Sequence, residues 1–299
     1  MHASSTNTPE FVSFHAARPP ESAASHPNAN LQSDGYMRML DLLFRSARLF
    51  HPDTACTLLT DKATRVHGIR GAFRRLDTPI DHGTLMLSRS LAQLDQVVRS
   101  DFARPMVMLD SDILLRGSLQ PLLEEDFDVG VTWRESEKMP INGGLLVLHN
   151  RRPGVVRDFF QRFVGIYRER YGSGDNAAWY GDQLALRDCV GLSHHEIRAH
   201  HVYEHDGCRI RFLPCDTYNF SPDNHFAAIV DGLPDKLVLH FKGQRKRLME
   251  PFWEAYLQPL ESRLPWAVWR GKRARRRLEQ AAMAEERSAI ATTAAKVDA

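Results

Sequence analysis

The chain has 299 residues, 43% hydrophobic and 25% charged, which are the proportions of an ordinary soluble globular protein with room for one large domain and additions, or for two domains. Its formal net charge of +2 is too small to argue for nucleic-acid binding by the whole chain, so no nucleic acid is expected as a partner. The polar start from Met1 to Glu10 lacks a signal-peptide pattern, no stretch reaches the ~18 apolar residues that span a bilayer, and Cys56, Cys189, Cys208 and Cys215 form no Cys-x-x-Cys pair; a disulfide framework is not expected, and the cytoplasm is the default location.

Taken in order, Phe11-Val12-Ser13-Phe14 predicts a first strand. Residues 16–35, rich in Pro, Ser, Ala and Asn, then form a loop whose length marks it as functional or disordered. Tyr36, Met39, Leu40, Leu43, Ala47 and Phe50 share one face of a helix that His51-Pro52 closes. Residues 56–60 predict a second strand, and a segment carrying Arg65, Arg70, Arg74 and Arg75 leads to a second amphipathic helix with Leu87, Leu91, Leu94 and Val98. The apolar run 105–115 predicts one strand buried on both faces. This strand–helix–strand–helix–strand order argues for an α/β protein with a mostly parallel central sheet flanked by helices. Further strands are expected at 128–133, 145–148, 210–213 and 237–241, with a long helix from Val155 to Tyr171 and a shorter one from Asp182 to Val190. From about Arg263 the composition shifts: Trp266 and Trp269 precede Arg270, Lys272, Arg273, Arg275, Arg276 and Arg277, and an Ala-rich end follows. The division expected is 9–262 for the main domain and 263–299 for a basic helical tail outside the core.

Two carboxylates interrupt the apolar run 105–115. On a strand, Asp110 and Asp112 point the same way, and two like charges side by side call for a cation. A hard divalent ion is the simplest answer; a strand end at which Asp112 starts a turn is the plain alternative. Ligands in open α/β sheets sit beyond the carboxyl ends of the strands, where this pair falls. Asn142-Gly143-Gly144 before an apolar strand permits close backbone approach to a ligand, or is a plain turn. Asp182 lies at a helix start, where it either caps the helix or serves a site. His240, at the end of the last strand, suits a metal site built on two carboxylates, and Lys242, Arg245 and Lys246 bring positive charge suited to a phosphate; read plainly, they are a buried histidine and a basic turn.

Leu109-Asp110-Ser111-Asp112-Ile113-Leu114, Asn142-Gly143-Gly144-Leu145-Leu146-Val147-Leu148, Gly181-Asp182-Gln183 and His240-Phe241-Lys242-Gly243-Gln244-Arg245-Lys246 occur in that order. With these segments the chain resembles the glycogenin-like and lipopolysaccharide-glycosyltransferase group of GT-A enzymes (family 8-like), over roughly residues 11–252. The resemblance implies a GT-A, Rossmann-like fold. It implies a sugar-nucleotide-dependent glycosyl transfer, with retention of anomeric configuration, onto a carbohydrate or lipid-linked glycan hydroxyl. It implies Mn²⁺ or Mg²⁺ on Asp110, Asp112 and His240, with Lys246 on the diphosphate of the donor and Asp182 orienting acceptor or sugar. Donor contacts are implied for Tyr36, Arg89, Asn142, Gly143 and Gly243. Three departures stand out: only Tyr36 is a candidate for the base-contacting tyrosine, Leu184 replaces the second acid of an Asp-Gln-Asp, and Arg247-Leu248 stands where Pro-Trp often follows the last Lys.

Other readings compete. The same two aspartates would serve a metal-dependent nucleotidyltransferase or phosphohydrolase, or a non-catalytic sugar-nucleotide-binding protein. His194, His195, His200, His201 and His205 with Cys208 and Cys215 match no standard zinc spacing and predict a polar loop. The Trp- and Arg-rich tail suits peripheral contact with an anionic membrane surface, or a solvated or dimer-forming helix.

Overall fold

In chain order, β1 (Glu10–Phe14), α1 (Ser33–Phe50), β2 (Ala55–Thr60), β3 (Arg74–Asp77), α2 (Leu85–Arg99), β4 (Met106–Leu109) and β5 (Ile113–Leu115) make up the first part of the protein. There follow β6 (Val129–Trp133), β7 (Ile141–Leu148), α3 (Pro153–Ile166), α4 (Gly181–Val190), β8 (Val202–His205), β9 (Cys208–Pro214), β10 (Val238–His240), α5 (Lys246–Phe252) and α6 (Pro265–Val297). The structure, a computed structural model, describes residues 8–17, 33–174, 180–193, 195–221, 227–262 and 264–297. Most of the expected 16–35 loop, and His194, lie outside the described residues.

Eight strands form one sheet in the order β3-β2-β1-β4-β7-β6-β9-β8. The first four are parallel, with β1 seated between β2 and β4. β7 runs antiparallel to β4 and β6, and β8 antiparallel to β9. Helix α1 covers one face through Met37, Leu40, Leu43, Phe44 and Ala47, packed with Leu58, Val107 and Leu145. On the other face Phe159, Phe160 and Phe163 of α3 pack with Met106, Met108 and Leu146. Truncating one of those phenylalanines to Ala would cost about 3–5 kcal/mol, since each is fully enclosed. The fold class expected from the sequence is the one observed.

Four local expectations need correction. First, the apolar run 105–115 is two strands: β4 stops at Leu109, Asp110-Ser111-Asp112 turns, and β5 joins β10 in a separate two-stranded antiparallel ribbon. Strand alternation therefore does not set the direction of the two carboxylates. Second, Gly143-Gly144 lies inside β7, where the β6–β7 register jumps from Val131↔Leu146 to Thr132↔Asn142 and residues 143–145 bulge out. Third, α2 buries Ser88, Arg89, Ala92, Gln93, Gln96 and Val97, while Leu91 and Val98 are exposed. Its inward face is largely polar; Gln96 Nε2, for one, donates to Glu10 Oε1 at 3.4 Å. Fourth, β3 and β8 carry no apolar signal; they are the two edges of the sheet, where charge discourages pairing with other chains. The tail is helical as expected, yet Ala274, Leu278 and Ala282 of α6 are buried with Leu248, Phe252 and Trp253, so its first half belongs to a core cluster.

Candidate metal centre and donor cleft

Backbone pairing assembles the site before any side chain is considered. Asp110 follows the C-terminal end of β4, and its N–H donates to the Gly144 carbonyl in the β7 bulge at 3.0 Å. Beyond the turn, β5 pairs with β10 in the register Ile113↔His240, and the Phe241 N–H donates to the Asp112 carbonyl at 2.8 Å. The ribbon thus delivers His240 to the two aspartates across more than a hundred residues of chain. Gly243, at φ +57, opens a turn of 3-10 helix over Gly243–Arg245, and Lys246 heads α5 so that its ammonium lies 3.3 Å from Asp112 Oδ2.

One oxygen of Asp110, one of Asp112 and one ring nitrogen of His240 lie within 4.8 Å of one another. His240 Nε2 is 3.1 Å from Asp112 Oδ1 and 3.6 Å from Asp110 Oδ2. Burial opposes ionisation of Asp112, but the charges and hydrogen bonds of His240 and Lys246 outweigh it and hold the carboxyl well below the usual range. Lys246 is shifted up: burial works against its charge, and Asp112 more than compensates.

The hydrogen bonds behind His240 test whether these residues fit a cation. The Gly144 N–H donates to Asn142 Oδ1 at 3.0 Å, so that oxygen is an acceptor. The Thr132 hydroxyl donates to the Asn142 carbonyl at 2.6 Å, which leaves its lone pair as an acceptor too. Asn219 Nδ2 donates to both of these acceptors, each at 3.0 Å. Asn219 Oδ1 therefore faces His240 Nδ1, at 2.7 Å, and Nδ1 carries the proton. Nε2 then either holds a second proton or turns its lone pair toward two carboxylates. A divalent cation satisfies all three groups at once, and the oxygen–nitrogen donor set suits Mn²⁺ or Mg²⁺. The residues present fit a divalent metal.

Across the cleft, the buried guanidinium of Arg89 joins two acids: Nη1 bonds Asp110 Oδ1, and Nη2 meets Asp182 Oδ2 at 2.5 Å. Asp182 does not cap α4, whose cap position is Tyr180 with no side-chain cap bond; it stands in the first turn and is 2% exposed. Burial pushes its carboxyl up, against the lowering by Arg89. Its Oδ1 is buried with no hydrogen-bond partner among the described residues. The bulge glycines make room for these groups. A Cβ on Gly143 would stand 2.7 Å from Asp182 Oδ2, and one on Gly144 2.6 Å from the His240 ring.

The result is a cleft of about 280 Å³, lined among others by Arg89, Asp110, Asp112, Asn142, Gly143, Asp182, His240, Gly243 and Lys246. Nine of the ten residues to which the family resemblance gives a site role meet there. Tyr36 does not line it; it stacks on His15 at 5.1 Å, with the Lys246 ammonium 5.8 Å from its ring. Lys242 also lines the cleft, with its ammonium shifted down by burial. Asn219 and Thr132 were not legible in the sequence, because Asn219 reaches His240 only through the bridge Phe220↔Leu239. The Asp110, Asp112 and His240 group is the one metal-ligating cluster among the described residues, so the His-rich stretch 195–205 forms none there. All four cysteines are free, and Cys208 is buried with its thiol pushed up to about 12 by burial. No described helix is long and apolar enough to cross a membrane.

No family model matches the chain, and no curated protein matches it. Solved structures do. The glycosyltransferase GlyE of Streptococcus pneumoniae TIGR4 aligns at 18% identity and a TM-score of 0.50, over 91% of this chain and 64% of that one. The galactosyltransferase LgtC, in complex with donor and acceptor sugar analogs, aligns at 17% identity and a TM-score of 0.51, over 86% of this chain and 96% of that one. The chain spans less than two thirds of the length of GlyE. These likenesses establish the fold: a GT-A, Rossmann-like sheet with a C-terminal helix, carrying an Asp/Asp/His cluster at the carboxyl end of its central parallel strands.

Proposed function

We propose that the protein is a metal-dependent glycosyltransferase that moves a sugar, with retention of configuration, from a nucleoside-diphosphate donor to a hydroxyl of a carbohydrate or lipid-linked glycan. The observation that carries this reading is the convergence of Asp110, Asp112 and His240 with the Lys246 ammonium at one mouth of the cleft. Asp110, Asp112 and His240 would hold Mn²⁺ or Mg²⁺, which would supply Lewis acidity toward a diphosphate. Lys246 brings a fixed positive charge to the place where a departing diphosphate gains negative charge, in a buried setting where such a charge acts strongly. Arg89 locks Asp110 and Asp182 into one frame, and the Asp182 carboxylate, which lines the cleft, is an acceptor for a sugar hydroxyl. Asn142 and the bulge at Gly143 border the same space.

The test is a panel of nucleoside-diphosphate sugars with Mn²⁺, read by released nucleotide. Slow donor hydrolysis that yields nucleoside diphosphate and disappears in Asp112→Asn supports the transferase. Release of monophosphate would point to a phosphohydrolase or nucleotidyltransferase, and binding without turnover to a sugar-nucleotide-binding protein.

A further inference from the structure

Each acid that lines the cleft has a cation beside it. Arg89 joins Asp110 and Asp182, while His240 and Lys246 face Asp112. Two cations of the same cleft are left over. Arg134 and Lys242 both line it, and among the described residues neither forms an ion pair with a carboxylate. Arg134 is held by its stem: its backbone N–H donates to the Pro140 carbonyl at 2.9 Å and its Nε to the Met139 carbonyl at 2.8 Å. Strands β6 and β9 run parallel with Trp133 opposite Pro214, so Arg134 and Cys215 leave the sheet side by side. Lys242 reaches the same corner, where Cys215 and Arg134 are its titratable neighbours ahead of Asp110 and Asp112. Cys215 offers no counter-charge, since burial pushes its thiol up. Lys246 turns the other way, to within 5.8 Å of the Tyr36 ring on α1. The cleft therefore has two cationic ends.

The Lys246 end suits the diphosphate of a donor, whose negative charge a divalent metal cancels. The end at Arg134 and Lys242 then carries positive charge that neither the acids of the cleft nor the diphosphate meets. Both side chains are half-buried, so a sugar seated there takes water away from them. A neutral sugar would leave the guanidinium and the ammonium uncompensated, which is costly. An oxyanion would give them charge-assisted hydrogen bonds, the geometry an arginine fork favours. We propose that Arg134 and Lys242 form an anion subsite that holds a carboxylate or phosphate group on one of the two sugar substrates, so that the enzyme acts on an acidic sugar. The proposal rests on the transferase reading for the sugar, and on the unpaired cations for its charge.

The experiment is calorimetric titration of the full chain in Mn²⁺ with glucose, glucose 6-phosphate and glucuronate, and in a second arm with UDP-glucose and UDP-glucuronate. An acidic sugar should bind about 100-fold more tightly than its neutral counterpart, roughly tenfold for each charge-assisted contact. Arg134→Gln/Lys242→Gln should abolish that preference, and Lys242→Gln alone should remove about a tenfold share of it. Arg134→Lys/Lys242→Arg should keep most of it, with circular dichroism, melting and Mn²⁺ binding retained in all three variants. A preference confined to the free sugars assigns the anion to the acceptor, and one confined to the UDP-sugars assigns it to the sugar being transferred. No preference in either arm would overturn the proposal. So would a preference that survives in the glutamine variants and disappears in Lys246→Gln, which would place the anion at the diphosphate end. If the preference holds while no nucleotide-sugar is turned over, the transferase reading fails and the anion subsite stands.

Discussion

Asp128 and Asp112 are both buried acids beside cations, and they are treated very differently. Asp128 accepts from Arg152 Nε at 2.8 Å, from Arg152 Nη2, and from the Arg209 N–H at 2.7 Å, so both of its oxygens are used. Asp41 is closed in the same way by Arg38, Arg45 and Arg70. At the cleft, by contrast, Asp112 faces the ring nitrogen of His240 and a lysine 3.3 Å away, and Asp182 keeps one oxygen unpartnered among the described residues. Acids that hold the fold close their hydrogen bonds on themselves. In the cleft that closure is incomplete at Asp182, and an unmet valence is what a ligand can fill.

That contrast can be broken by experiment. The largest effect is expected for Asp112→Asn, with a loss of about 10³-fold in metal-dependent donor turnover. Its stability should fall as well, by about 3 kcal/mol in urea unfolding, because His240 and Lys246 hold this carboxylate ionised and its loss leaves the buried Lys246 ammonium poorly compensated. Asp41→Asn should lose about 3 kcal/mol in urea unfolding, because a neutral amide meets only in part the hydrogen bonds that Arg38, Arg45 and Arg70 give the carboxylate, with turnover per folded molecule kept. Equal losses of turnover per folded molecule in the two variants would end the comparison.

Next in size is Asn219→Leu, which removes the acceptor that holds the proton on His240 Nδ1. Mn²⁺ affinity measured by calorimetry should weaken 10- to 100-fold, with the fold retained. Unchanged affinity would show that the relay from Gly144 through Asn142 and Asn219 does not prepare the ligand. The smallest effect concerns His51, a histidine of the closed kind: its Nε2 accepts from the Leu119 N–H at 3.0 Å, and burial pulls its pKa down to about 4. Between pH 6.5 and about 4 the unfolded chain binds more protons than the folded one. The stability is therefore full above pH 6.5 and is lost as the pH falls toward 4. A loss of about 2 kcal/mol between pH 7.5 and 5 is expected from this group, and His51→Gln should flatten that part of the profile.

Legibility followed apolar content. The buried strands β1, β2, β4, β6 and β9 and helices α1, α3 and α4 all show as apolar segments or stripes, and their order was enough for the class of fold. The edge strands β3 and β8 were invisible because an edge needs little apolar surface. The face of α2 was misread because Leu91 and Val98 point outward while Arg89 and Gln96 turn in toward polar partners. Of the cleft, the acids, His240 and Lys246 were legible as residue types at strand ends. Asn219 and Thr132 were not, since a lone Asn after Tyr218 carries no local pattern and acquires its role only from a neighbour in space.

By itself the sequence determined a parallel α/β architecture, two acids at the end of a central strand, a basic segment after the last strand, and a tail in which tryptophan and arginine are concentrated. These are local properties, written in apolar period and residue chemistry. Only the tertiary structure decided that the run 105–115 breaks at Leu109, that β5 pairs with β10 so that His240 meets Asp112, and that the β7 bulge opens space for Asp182 and His240. It also decided which face of α6 is docked and which is left with its tryptophans bare. The reason is common to all four. Each depends on hydrogen-bond register or packing between segments far apart in the chain, and no periodicity within a segment records its partner.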